Sequence, residues 1–289
     1  MSALAPVPVN GARALEFAYG PDDHRAISAL AYEETGIVLP TGKAQLVYGR
    51  IAPRVRAAGL TSVAEYIVLI GHDRDERAKA IDALTTNHTS FWRECHHFED
   101  FAERMWPTLA ARLRQGGRVR LWSAACSSGE EPYSWLMSAL GGDRGAAMQL
   151  LRGDLKLLAT DLSPTVLDAA RAGIDPADTV KGLPAPLRNA WVKRHGDAVA
   201  IDPALRAAIA FKSLNLLGDW PIKTQFDAIF CRNVMIYFDA PTKAKLQSRL
   251  ADRLVEGGMM YIGHSERLDE TVAPRFRYVG KTAFQKVTA

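Results

Sequence analysis

The sequence predicts an α/β protein. It combines a Rossmann-like, doubly wound sheet closed by an antiparallel hairpin at its C-terminal edge with a small all-α N-terminal domain and a small β-subdomain insertion. Three observations predict this class. Between about Asp22 and Leu84 the apolar residues recur at helical spacing. Beyond Arg118, short apolar runs alternate with amphipathic segments, the order of a parallel sheet with crossover helices. The last stretch, Phe276 to Val287, alternates apolar and polar residues on both sides of Gly280-Lys281, which suits a two-residue type II′ turn.

In chain order, residues 1–16 are small and proline-rich at the start and are expected to be a disordered tail. Residues 17–84 form the helical domain, with segments at Ile27 to Glu34, Leu46 to Ala58, Val63 to Leu69 and Arg77 to Leu84. Lys43, Arg50 and Arg54 lie seven and four apart, on one helix face. Such a face is either solvated surface or a docking surface for an acidic partner helix. Pro53 lies inside the pattern and is expected to kink or interrupt the helix. Residues 85–117 read as a linker or lid, from the polar run Thr85 to Glu94, followed by one amphipathic helix from Phe98 to Leu113. Adjacent residues on a helix point apart, so His96 and His97 are not expected to bind a metal.

The domain from 118 to 289 opens on a short strand, Val119 to Trp122, which breaks at Ser127-Ser128-Gly129 and restarts as a helix at Glu130-Glu131-Pro132. A strand ending in a small-residue turn before a helix is where α/β folds bind nucleotides, because backbone N–H groups point out of the helix start. Two carboxylates there disfavour a pyrophosphate and favour a cationic ligand. S-adenosylmethionine, with its sulfonium and ammonium groups, is the candidate. The alternative is a capping box formed by Ser128 and Glu131 on an ordinary helix. A second strand, Leu155 to Thr160, ends at Asp161, where a carboxylate can accept two ribose hydroxyls. Ser163, before Pro164, can cap the next helix in its place. A hairpin insertion is expected at about 190–202, with arms Trp191 to Lys193 and Ala198 to Ile201. Ile209 to Lys212, Phe226 to Cys231 and Met259 to Gly263 complete the strands, the last after a break at Gly257-Gly258.

Composition limits the function. The 289 residues are 48% hydrophobic and 24% charged, as in a globular protein with ample core. No apolar run reaches the roughly 18 residues of a membrane span. No secretory signal pattern opens the chain. A cytoplasmic protein without membrane insertion, monomeric by default, is expected. Cys95, Cys126 and Cys231 are too few and too scattered for a disulfide framework or a zinc cluster. A net charge of +4 is a small excess for a nucleic-acid binder.

Six motifs in order carry a resemblance: TTNHTSFWRECHHF at 85–98, WSAACSSGEEPYS at 122–134, ATDLS at 159–163, NLL at 215–217, FDAIFCRNVMIYFD at 226–239 and GHSE at 263–266. Together they resemble the CheR-type chemotaxis receptor methyltransferases over nearly the whole chain from about residue 25 to 287. The resemblance implies a class I S-adenosylmethionine-dependent methyltransferase fold without a metal. It implies protein-glutamate O-methyltransferase activity in chemosensory adaptation: methylation of glutamate carboxylates on methyl-accepting chemotaxis proteins, with S-adenosylhomocysteine as product. Cofactor contacts then fall on Asn87, Thr89, Arg93, Glu131, Asp161, Asn215, Leu216, Arg232 and Asn233. Arg93 and Tyr237 match positions near the transferred methyl and the incoming glutamate. Receptor docking would use Lys43, Arg50 and Arg54, against the receptor's cytoplasmic helices. The hairpin insertion is shorter than in enteric relatives, whose equivalent binds a pentapeptide at the receptor C-terminus. The chemistry agrees, since a glutamate carboxylate is already ionised near pH 7 and can attack a sulfonium methyl without a general base. A nucleic-acid methyltransferase would instead carry a proline-rich motif after the fourth strand, and Cys231-Arg232-Asn233-Val234 has none. A sensor that binds S-adenosylmethionine without catalysis is the reading from another class.

Overall fold

Helical periodicity in the first part of the chain produces α1 (Pro21–Thr35), α2 (Ala44–Ala57), α3 (Val63–His72) and α4 (Arg74–Leu84) in a computed structural model that describes residues 15–287. The expected N-terminal tail thus lies outside the described residues, except Leu15 and Glu16. Glu16 is ion-paired with Arg56. Val47, Ile51 and Val55, four apart on α2, are buried, as are Val63, Tyr66 and Ile70 on α3 and Ile81 and Leu84 on α4. Ser62 caps α3 by accepting the Glu65 N–H.

One expectation for this region is corrected. Helix α2 runs through Pro53 without interruption. Pro53 and Gly49, whose carbonyl loses its amide partner, are both exposed, so water can replace the missing bond. Arg54, expected on the docking face, is engaged within its own unit. Its guanidinium clasps Glu76, Nε to Oε1 at 2.9 Å and Nη2 to Oε2 at 2.7 Å, and the Tyr66 hydroxyl donates to the same carboxylate at 2.9 Å. Arg50 donates to the Leu84 carbonyl at 2.6 Å, and exposed Lys43 ends a single 3₁₀ turn before α2.

The chain divides into two units, one of residues up to 34 with 39–84, the other of 35–38 with 85–289. The helical domain expected as an unbroken 17–84 therefore cedes Thr35–Val38 to the larger unit. There the Val38 N–H donates to the Tyr237 carbonyl at 2.9 Å.

The larger unit begins with α5 (His96–Arg104) and α6 (Trp106–Arg114). One helix was expected here. Pro107, in the first turn of α6, has no N–H for the Glu103 carbonyl, and the helix breaks at Met105. Then come β1 (Arg118–Ala124), α7 (Glu130–Leu140), α8 (Arg144–Leu151), β2 (Asp154–Asp161) and α9 (Pro164–Ala172). The insertion contains β3 (Ile174–Pro176), α10 (Ala185–Trp191), β4 (Val192–His195) and β5 (Ala198–Ile201), with β3 added to the hairpin to make a three-stranded sheet of order β3-β5-β4. The main fold resumes with α11 (Pro203–Ala208), β6 (Ile209–Ser213), β7 (Phe226–Cys231), α12 (Ala240–Asp252), β8 (Leu254–Ile262), β9 (Phe276–Gly280) and β10 (Ala283–Lys286).

The seven-stranded sheet has the order β6-β2-β1-β7-β8-β10-β9. The first five strands are parallel and β10 is antiparallel to both neighbours. Strand β8 passes through Gly257-Gly258 with a register shift against β7, so the glycines bend the strand and do not end it. The closing turn is also corrected. Its two residues are Lys281 and Thr282, at φ +53° and +54°, the two left-handed positions of a type I′ turn. All six residues of β7 are buried, as a central parallel strand covered on both faces requires. The sheet separates two cores, one containing Leu121, Trp135 and Phe230, the other Trp122, Cys231 and Leu250. The chain leaves β1 towards β2 on one side, while β7 flanks β1 on the other. The C-terminal ends of β1 and β7 therefore form a topological switch point, the place where such sheets open a crevice. Among the described residues, no helix is long and apolar enough to cross a membrane.

Candidate active site

The turn after β1 is built for close approach. Ala125 and Ser127 hold positive φ, and Gly129 caps α7 at φ +100°. A Cβ on Gly129 would stand 3.0 Å from that of Ala170, so only glycine fits. The capping box weighed from the sequence does not form: Ser128 donates to Glu130, while Glu131 turns inward to accept the Ser123 hydroxyl at 2.7 Å and Arg232 Nη1 at 3.2 Å. Burial raises the pKa of Glu131, opposed by the charge of Arg232 and the Ser123 hydrogen bond. Asp161, at the end of β2, accepts the Ser127 N–H at 2.8 Å and the Ser163 N–H at 3.0 Å, and the Ser163 side chain caps α9.

At the end of β7 the Arg232 guanidinium is almost fully buried. It reaches Glu131 on one side and donates Nη2 to the Arg93 carbonyl at 2.5 Å on the other, with Glu94 Oε2 at 3.4 Å and the Phe98 ring 5.2 Å away. Asn233, at φ +58°, donates Nδ2 to Glu94 Oε1 at 3.1 Å and its backbone N–H to Glu266 Oε2 at 3.0 Å. Glu266 also accepts the N–H groups of Gly263 at 2.7 Å and Ile236 at 3.3 Å, so one buried carboxylate shapes the loop that carries Asn233 and Tyr237.

The polar stretch before α5 closes over this turn. Ser127 donates its hydroxyl to the Asn87 carbonyl at 2.9 Å, the Trp92 N–H reaches Ser134, and Arg93 Nη1 donates to the His88 carbonyl at 2.8 Å. Burial opposes the charge of Glu94, but the His264 hydrogen bond, the Arg232 charge and the Asn233 amide outweigh it and bring its pKa down to about 2. His97 donates Nε2–H to the Lys281 carbonyl at 2.6 Å, and burial beside Arg232 lowers its pKa to about 3, so the ring is neutral. The expectation that His96 and His97 diverge is corrected. Their rings lie 4.2 Å apart where α5 begins, and their nitrogens come within 4.8 Å of each other and of a Glu94 oxygen. That carboxylate is already engaged by His264, Asn233 and Arg232.

One pocket collects Asn87, Thr89, Arg93, Glu131, Asp161, Asn215, Leu216, Arg232, Asn233 and Tyr237. Lys43, Arg50 and Arg54 belong to the other unit. The pocket also takes in Thr35 and Ile37, which no sequence signal marked. Glu94 and Glu266 lay inside quoted motifs, yet their work is legible only once their distant partners stand beside them. In the pocket the carboxylates of Glu131 and Asp161 are joined by an apolar wall of Ile37, Leu214, Leu216 and Phe238. Two carboxylate acceptors with apolar side chains beside them fit a ligand with a cationic group, a diol and a flat heteroaromatic ring, the three parts of S-adenosylmethionine.

Comparison with known proteins agrees with the geometry. Residues 22–85 match the family described as CheR methyltransferase, all-alpha domain, and residues 87–284 match CheR methyltransferase, SAM binding domain. A probable chemotaxis protein methyltransferase of Rhizobium etli is 40% identical over 265 residues, covering 90% of this chain and 97% of that protein. Chemotaxis protein methyltransferase 2 of Pseudomonas aeruginosa is 39% identical over 98% of this chain and 99% of its own length. The chemotaxis protein methyltransferase of Escherichia coli is 38% identical over 90% of this chain and 89% of its own length.

Proposed function

Since the chain belongs to the CheR methyltransferase family, whose members are S-adenosylmethionine-dependent methyltransferases of chemotaxis, we propose that it methylates glutamate side chains on methyl-accepting chemotaxis proteins. The products are a glutamate methyl ester and S-adenosylhomocysteine. The observation that carries the choice of acceptor is the guanidinium of Arg93 in the same pocket as Tyr237. A cation there suits a carboxylate acceptor and repels an ammonium one.

Bound S-adenosylmethionine supplies an electrophilic methyl group on sulfur. The residues of the chain do the rest. Glu131, fixed by Ser123 and Arg232, pairs with the methionine ammonium. Asp161, oriented by two backbone amides, accepts the ribose hydroxyls. Asn87, Thr89, Arg93, Asn215, Leu216, Arg232 and Asn233 complete the cofactor contacts. Arg93 holds both oxygens of the incoming glutamate, and the Tyr237 phenol donates a hydrogen bond that orients one of them. No general base is required, because the acceptor is ionised near pH 7. Catalysis then comes from alignment and from desolvating a charged nucleophile beside fixed dipoles. The substrate is read as a cytoplasmic receptor helix, met by the helical unit through a surface that includes Lys43 and Arg50.

The test is transfer of labelled methyl from S-adenosylmethionine to receptor cytoplasmic fragments, followed by mild base. Volatile labelled methanol is expected, with at least a hundredfold loss of rate in Arg93→Ala at S-adenosylmethionine concentrations that saturate the variant. Label that resists base, or Arg93→Ala turning over normally, would sink the assignment.

A further inference from the structure

Four residues from the end of α1 towards the 3₁₀ turn before α2, Thr35–Val38, belong to the methyltransferase unit although the chain on both sides of them belongs to the helical one. We propose that this strap is a working part of the site: Ile37 closes the slot that takes the adenine ring, and the Val38 N–H positions Tyr237 for methyl transfer. The inference rests on the reading that the pocket binds S-adenosylmethionine.

The pocket assigns its ends by chemistry. Glu131 and Asp161 claim the charged and hydroxylated parts of the ligand, which leaves the apolar wall for the flat ring. Ile37 lines the pocket with Leu214, Leu216 and Phe238 and packs into the same core cluster. A purine gains affinity from close contact with branched and aromatic side chains on its faces. Without Ile37, that wall would open.

The strap's path is tightly specified. The Ile37 N–H donates to Thr35 Oγ1 at 3.2 Å, and Gly36 sits at φ +70°. A Cβ on Gly36 would fall 2.1 Å from Leu217 Cδ1 and 3.5 Å from Thr242 Cγ2, so the strap lies directly on the segment that follows β6. It then meets Tyr237. That residue sits in a single 3₁₀ turn, Met235–Tyr237, closed by the Tyr237 N–H on the Val234 carbonyl and the Phe238 N–H on the Met235 carbonyl. Glu266 holds the turn through the Ile236 N–H, and Val38 holds it through the Tyr237 carbonyl at 2.9 Å. Val38 is therefore a positioning residue, acting through Tyr237, whereas Ile37 touches the cofactor.

The two roles separate in measurement on the full chain, with S-adenosylhomocysteine titrated calorimetrically as the probe. Ile37→Ala should raise its Kd about tenfold, and Ile37→Leu should bring it back to within about threefold of wild type. Val38→Pro, which deletes the N–H, should lower kcat for receptor methylation about tenfold at saturating S-adenosylmethionine, with the Kd of the probe within about threefold. Gly36→Ala displaces the strap as a whole and should move both quantities together. Wild-type binding with Ile37→Ala within twofold of it, or Val38→Pro and Gly36→Ala with unchanged kcat, would overturn the proposal. A wild-type chain that binds no S-adenosylhomocysteine would overturn the cofactor reading itself, and the strap with it.

Discussion

Three backbone N–H groups converge on the Glu266 carboxylate, from Gly263, Asn233 and Ile236, and they keep it functional as an acceptor although burial pushes its pKa up. Glu266→Gln replaces one acceptor oxygen by a donor and leaves at least one of those amides facing an N–H group. The loop that carries Asn233 and Tyr237 should loosen, and steady-state kinetics should show kcat reduced about tenfold, with a smaller change in cofactor affinity. Glu131 makes a pH prediction. Its pKa lies above the usual carboxylate value because of burial, and in the proposed role only its charged form would pair with the ammonium. Affinity for S-adenosylhomocysteine should therefore weaken as pH falls through that raised pKa. Calorimetric titrations from pH 8 down to pH 5 measure it, and Glu131→Gln should flatten the profile. At this scale the sequence was partly legible. The places of Glu131 at a helix start and Asp161 at a strand end could be read, because strand–turn–helix geometry is local. Arg54 could not. Its spacing with Lys43 and Arg50 described a helix face, while its partner Glu76 is 22 residues away and nearly buried.

The Arg54–Glu76 pair belongs to the packing of helices α2 and α4. Glu76 retains 9% of its side-chain exposure and Arg54 28%, so removing the arginine strands a carboxylate with the Tyr66 hydroxyl and Lys79 as its remaining support. Arg54→Ala should cost about 3 kcal/mol in the denaturant unfolding of the helical unit. Receptor methylation at a temperature where the variant is folded should stay within a few-fold of wild type. Most elements were readable from periodicity, and the failures share a cause. The α5–α6 break depends on Pro107, which is tolerated in a first turn but ends the helix before it. Gly280 suggested a type II′ turn, yet the turn falls one residue later. The buried His97 ring binds the Lys281 carbonyl, and Thr282 Oγ1 donates to the Ile262 carbonyl. Contacts 20 to 184 residues away fix that register, and no local pattern shows them.

Over the whole molecule, the strand order could be anticipated because alternating strands and helices permit few right-handed windings, and a closing hairpin has only an edge to occupy. The exchange of Thr35–Val38 between units could not, since those residues look like an ordinary helix exit followed by a loop. What the fold achieves is a crevice at the β1/β7 switch point in which anionic and apolar walls for the cofactor share one pocket with a guanidinium suited to a carboxylate. The central claim, that the acceptor is a glutamate side chain, is tested most directly by peptide mapping of receptor fragments after incubation with the enzyme and S-adenosylmethionine. The account predicts a gain of about 14 Da on glutamate residues, reversed by mild base as an ester requires. A base-stable gain on lysine, arginine or a backbone amine would contradict it.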